Sequence, residues 1–315
     1  MSVTGKLLPG EEMKENKSFF SRQKVNSLVH TGLLIPTIAS ALIVCVIAGV
    51  LLWKSTGILS AYPLTELLFS SEWKPMSGAF GFLPFIMGTL WVTLLSMVIC
   101  IPISLLCAIY LSEYAPRRVR IAIQPFIDLL AGIPSVVYGL FGIIFLIPLI
   151  RDSIGPFFGV NTSGYTVLAG GIVLAVMVFP ILISVSFEVF QAVPHGMREA
   201  SLACGATNWE MIKHVVIKAG YPGLIAAVIL GMSRAFGETM AVLMVVGNVP
   251  DIPTSVFDPA YPIPALIANN YGEMMSIPMY DSALMFAALL LLLVVIAFTL
   301  VSKYTLHRIK RRLGA

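Results

Sequence analysis

Charge is what this chain has least of. Only 11% of its 315 residues are Asp, Glu, Lys or Arg, against 58% hydrophobic, and the mean hydropathy is +0.92. So few charges do not cover that much apolar surface in water, which excludes a soluble domain and leaves an integral membrane protein. Cysteine is scarce too: Cys45, Cys100 and Cys107 fall in apolar runs and Cys204 in a polar segment, with no CxxC spacing. A disulfide framework and a zinc site are both excluded on that pattern. His30, His195, His214 and His307 are single and scattered, without the spacing of a helical metal site. No Gly-x-x-x-x-Gly-Lys-Ser/Thr loop is present, so this chain does not itself hydrolyse ATP. The net charge of +4 is too small, and too close to apolar runs, for nucleic-acid binding.

What is present is a series of apolar runs long enough to cross a bilayer. After a polar arm, residues 1–30, the first runs from Thr31 to Trp53 and reads as an uncleaved helix. Residues 54–84 read as an external loop. Further spans are expected at about 85–111, 125–150, 164–190, 222–246 and 283–302. Residues 304–315 form a basic tail. Between the fifth and sixth spans, residues 248–281 contain no Lys or Arg and read as external. With the N-terminus inside, sixteen basic residues lie on the cytoplasmic side and three outside, leaving Arg234 in the membrane. That asymmetry places both termini in the cytoplasm and fits six transmembrane helices, an all-α integral membrane fold.

In the third span, Gly132, Ser135, Gly139 and Gly142 share one helix face and read as a close-packing seam rather than a ligand site. Asp128 and Glu188 read as helix-end charges near the inner interface. Met232, Met240 and Met244 read as ordinary lining or packing residues.

The informative stretch is Pro194–Asn248. Its first half is polar and amphipathic, mixing Met197, Ala200 and Leu202 with Arg198, Glu199 and Asn208. Such a helix fits a groove on another protein or the inner membrane surface. Its second half is apolar but carries Arg234 and Glu238. Counted from Pro222, Arg234 is twelve residues into the span, about 18 Å and near the middle of the bilayer core. An arginine there costs on the order of 2.5–3.5 kcal/mol unless it faces protein or water. Glu238, four residues on, is expected on the same face and within pairing reach. Two roles compete. Arg234 offers its fork to a crossing oxyanion, or the two side chains form a gating ion pair that switches during transport. A glutamate beside the path repels an anion, which favours the second. An intramembrane enzyme is the alternative class, but no nucleophile–base pair or metal set accompanies the two residues.

Glu199–Ile217, EASLACGATNWEMIKHVVI, resembles the cytoplasmic EAA loop of importer-type ABC transporter permeases. Glu199, Ala200 and Gly205 match that pattern; Ser201 departs from it and Lys218 stands where the pattern ends in proline. Ser233–Asn248 and Ala131–Gly142 resemble the PstC family of phosphate permease subunits. The resemblance covers about residues 80–303 and implies the type I ABC importer permease fold. It implies that Glu199, Ala200 and Gly205 belong to an ATPase-coupling loop, residues 194–221, and that Arg234 and Glu238 lie on the translocation pathway. The implied partners are a PstA-like permease subunit, a PstB-like ATPase dimer that binds the ATP and Mg, and a PstS-like phosphate-binding protein. The implied setting is a bacterial or archaeal inner membrane. Sulfate or molybdate stands as the nearer alternative substrate.

Overall fold

Helices that are apolar all round belong in lipid, because every backbone group is satisfied within the helix. Six helices of the computed structural model meet that condition by length and composition. The structure describes the backbone of residues 11–272, 277 and 279–313, with side chains at 26, 27, 29–272, 277, 279–301, 303 and 304. The first ten residues of the polar arm, Glu273 and the side chains of Arg308, Lys310, Arg311 and Arg312 lie outside that description. The chain divides into two units, 1–53 and 54–315.

Helix α1, Glu11–Ala61, contains the first span, Val29–Ala61. In the first unit its hydroxyls turn back on their own helix: Thr37 Oγ1 donates to Leu33 O at 2.8 Å and Ser40 Oγ to Thr37 O at 2.9 Å. Leu33, Ile38 and Leu42 are exposed, as lipid-facing residues are.

The second unit opens with more order than its sequence suggests. A short helix, α2 (Leu64–Phe69), leads to a hairpin of β1 (Trp73–Lys74) and β2 (Ala79–Phe80), antiparallel with Trp73 opposite Phe80. The expected loop is held by aromatic packing: Trp73 stacks edge-on to Phe85 with ring centroids 4.8 Å apart and lies beside Phe80 and Phe82. Aromatic burial replaces the missing periodicity.

Helix α3 (Leu83–Tyr114) is the second span and ends in a wide turn in which Ala115 N–H reaches Tyr110 O at 2.8 Å. Helix α4 (Arg117–Gly132) is amphipathic and separate from the span that follows it. The third span, α5 (Ser135–Phe157), begins ten residues later than expected, because Ile133 and Pro134 are extended and interrupt the helix. A residue ahead of proline avoids the helical region. Asp128 therefore lies on α4 and not in a span. The fourth span is α6 (Val167–Gln191), started by Thr166, whose Oγ1 accepts from Ala169 N at 3.1 Å. Helix α7 (His195–Ala203) is followed by α8 (Asn208–Gly237), the fifth span, then a single turn α9 (Met240–Leu243).

The expected external stretch 248–281 is partly a buried insertion. Its helix α10 (Ile263–Asn270) has Ile263, Pro264, Ala265 and Leu266 buried. The first N–H of α10, on Ile263, donates to Thr89 Oγ1 of α3 at 2.9 Å, and that hydroxyl donates to Phe85 O at 2.7 Å. The loop before it supplies carbonyls to α6: Val167 N donates to Asp258 O and Leu168 N to Val256 O. Hydrogen bonds from the Thr254 hydroxyl and from the Ser255 and Thr254 amides hold the Asp258 carboxyl below the usual carboxylate range. Non-helical backbone is tolerated beside membrane helices where protein satisfies it. The last helix, α11 (Tyr280–Leu313), contains the sixth span, Tyr280–Val301.

Helices α3 and α6 pack most extensively, and α8 joins them. Their shared core includes Cys100, Leu174, Leu182, Ala227 and Ala235. The small-residue seam of α5 is used inside this chain. A Cβ on Gly142 would meet Val245 at 2.7 Å and Val173 at 2.9 Å, and one on Gly139 would meet Met244 at 2.6 Å. At Gly132 nothing lies within 4 Å, because it ends α4 instead of continuing the face.

Candidate functional site

The polar joint between the fourth and fifth spans is built by helix-terminus chemistry. Helix α7 stops at Cys204 and Gly205 takes the left-handed conformation, φ 86°. Gly205 N then donates to Leu202 O at 2.9 Å and Ala206 N to Ser201 O at 3.3 Å. These are the two bonds of a Schellman ending, which glycine adopts without Cβ strain. Two residues on, Thr207 opens α8 with a capping box: Glu210 N donates to Thr207 Oγ1 at 3.3 Å, and Thr207 N donates to Glu210 Oε2 at 2.8 Å. The fifth helix thus starts fourteen residues before Pro222, and the coupling segment is one short helix, one tight turn and the first turns of α8.

Glu199 and Ala200 are exposed on α7, and Gly205 is exposed at its end with open space around the position of a Cβ. The structure brings these three together on one projecting element. Arg198, between Met197 and Glu199, points the other way and is buried. Its Nη2 donates to Glu113 Oε1 at 2.9 Å and its Nε to Glu113 Oε2 at 3.2 Å. Nη2 also reaches Phe190 O at 2.7 Å, and Nη1 reaches Val193 O at 2.5 Å. The pair's side chains are only 10% and 7% exposed. Buried charges persist where partners complete their hydrogen bonds, and here four bonds satisfy one guanidinium. This pair did not emerge from the sequence, since 85 residues separate its members. The capping box, Thr207-x-x-Glu210, was legible and would have placed the start of α8.

Arg234 and Glu238 are arranged differently from the expectation. Helix α8 ends at Gly237 and Glu238 is extended, φ −73° and ψ 126°. Glu238 is the residue that caps this helix, and its carboxylate turns onward to the α9 backbone instead of back to Arg234. Among the described residues the ion pairs are Lys54–Asp281, Lys74–Glu72, Arg151–Asp152 and Arg198–Glu113. Arg234 and Glu238 do not pair. Glu238 is half-buried, and its Oε1 accepts from Ala241 N at 3.3 Å. It borders a space for about one water, together with Thr89 and Thr93 of α3. Arg234 is exposed in the last turn of α8, where a cation favours the helix carbonyl end. On α5, the Tyr138 hydroxyl donates to Leu130 O at 2.7 Å. Counted from Asn208, Arg234 is about 39 Å along the helix, so α8 extends beyond a core of roughly 30 Å.

Two features are now combined: six membrane-length helices, and a short exposed helix between the fourth and fifth. Residues 100–313 match the family described as binding-protein-dependent transport system inner membrane component. The chain belongs to this family. Among its relatives, the probable ABC transporter permease protein YqgH of Bacillus subtilis is 36% identical over 98% of this chain and 97% of that one. The phosphate transport system permease protein PstC of Xylella fastidiosa is 36% identical over 90% and 91%. In fold, the chain resembles an alginate ABC importer structure with TM-score 0.60 and 16% identity, covering 92% of this chain and 99% of that one. An inward-facing MetNI methionine ABC transporter follows with TM-score 0.56 and 19% identity, over 71% and 94%. The architecture is the type I ABC importer permease fold. An importer permease is a multi-pass membrane component, and the ATPase that drives it and the protein that delivers substrate are separate subunits.

Proposed function

We propose that this chain is a permease subunit of an ATP-driven importer of inorganic phosphate. In this reading it forms half of the translocation path beside a PstA-like subunit. A PstB-like ATPase dimer binds ATP and Mg and docks on Glu199, Ala200 and Gly205, and a PstS-like binding protein delivers phosphate from outside. Both termini lie in the cytoplasm, consistent with the basic residues concentrated on that side.

The observation that carries the pathway reading is the exposure of Arg234 at the end of a membrane-length helix, beside a break in that helix. A cation at membrane depth faces protein or water rather than lipid. A guanidinium fork with no carboxylate on it is suited to an oxyanion. Glu238, turned to the backbone of α9, leaves Arg234 unneutralised. This geometry favours the oxyanion role over the switching ion pair. The relatives named phosphate permeases support phosphate as the anion.

The test is uptake of labelled phosphate by cells that depend on this transporter. Arg234→Gln is expected to lower uptake by at least about tenfold, with Arg234→Lys intermediate because it keeps the charge and loses the fork. Excess sulfate or molybdate is expected to leave uptake unchanged. Full uptake by both variants would sink the role of Arg234, and competition by either anion would reassign the substrate.

A further inference from the structure

Arg198 is one position from the exposed face that meets the ATPase in the reading above, yet it is turned inward and shared among three helices. Its fork holds Glu113, on the wide turn that ends α3. Its remaining donors hold Phe190 O and Val193 O, at and just beyond the end of α6. Glu113 is itself fixed, since Ser112 Oγ donates to its Oε1 at 2.8 Å and Gln191 Nε2 donates to that Ser112 Oγ at 3.2 Å. Arg120 of α4 closes the same turn from below, donating to Leu111 O at 3.1 Å and Ser112 O at 2.9 Å. Beneath lies an apolar cluster from α3, α6 and α8 that includes Ala108, Phe190, Ile212 and Val216.

We propose that the Arg198–Glu113 pair is the clasp that passes displacement of α7 to the second and fourth spans, which makes both of them positioning residues for coupling. Three features of the site support this. The only bonds from the α7 side chains to other elements among those described are made by Arg198. The fork is bidentate, so it transmits rotation as well as translation. The receiving turn is wide-wound, a form that recurs at functional sites. The proposal rests on α7 being the segment that meets the ATPase.

The experiment uses the full transporter, reconstituted with its ATPase and binding protein in vesicles, with labelled phosphate outside. Three quantities are read: ATPase copurification, ATP hydrolysis, and phosphate taken up per ATP hydrolysed. Arg198→Lys keeps the charge and loses the fork. It is expected to copurify with the ATPase and hydrolyse ATP while uptake per ATP falls on the order of tenfold, the scale of a lost charge-assisted bond. Arg198→Met with Glu113→Leu, an apolar replacement that leaves no buried charge unpaired, is expected to assemble and show the same fall. Wild-type uptake per ATP in both variants overturns the clasp. Loss of ATPase copurification in the Lys variant also overturns it, because the pair then only holds the docking surface together. Ala200→Trp serves as the control on the outer face: if the ATPase still copurifies with it, the docking reading has failed and not the clasp alone.

Discussion

The molecule contains two arginine–glutamate couples, and they behave in opposite ways. Arg198 and Glu113 are 85 residues apart and form a buried, bidentate pair. Arg234 and Glu238 are four apart and do not pair: the helix is capped by Glu238, whose carboxylate accepts from Ala241 N of the next turn. Proximity in sequence is not contact where another donor claims the carboxylate. A couple on one helix gains only a few tenths of a kcal/mol, so a backbone N–H that claims the carboxylate is enough to abolish it. A couple drawn from two helix ends is set by the tertiary packing of those ends, which no local pattern encodes. The first couple is therefore closed, and the second is open, with the cation outward and the carboxylate on the backbone.

The comparison breaks first at the closed couple. Glu113→Ala leaves a buried guanidinium without its carboxylate, and such single removals cost about 3–5 kcal/mol. A large fall in the thermal midpoint of the detergent-purified protein is expected, with most of it recovered by the double apolar replacement. An unchanged midpoint would show the pair to be dispensable. Next in size is Gly205. An alanine there is strained by roughly 1–2 kcal/mol in the left-handed conformation, although nothing crowds its Cβ. Asparagine tolerates that conformation better. Gly205→Asn should fold nearly as well as wild type, so any uptake it loses reports docking and not strain. Smallest is the coupling between Arg234 and Glu238. In a double-mutant cycle of Arg234→Gln and Glu238→Gln, the two stability changes should add to within about 0.5 kcal/mol, the limit for independent sites. A coupling well above that would mean that the two side chains meet after all.

Much of the fold was legible because it follows from composition. Six apolar runs give six spans, and the polar joint stood out against them. The boundaries failed where apolar periodicity is uniform and punctuation decides. Pro134 ends α4 and delays the third span. The Thr207–Glu210 capping box starts the fifth helix early. Gly237 ends that helix nine residues before Val246. Glu199, Ala200 and Gly205 were singled out by the resemblance of their segment to the EAA loop, and they lie on or beside one short helix. Arg234 and Glu238 were found from the rarity of charge in the membrane, but their mutual geometry was not. The Arg198–Glu113 pair was not legible in the sequence, because burial is a tertiary property.

Thr89 gives α3 a second attachment. Its hydroxyl holds the first amide of α10 near one end of the helix, while Glu113 holds α7 at the other. The two anchor points are 24 residues apart, about 36 Å at helical rise. Mechanically, α3 is a rod tied near both ends, to α7 at one and to the buried insertion at the other. Both attachments are hydrogen bonds accepted by side chains of α3, so the rod is held by its own residues at two levels in addition to the helices stacked along it.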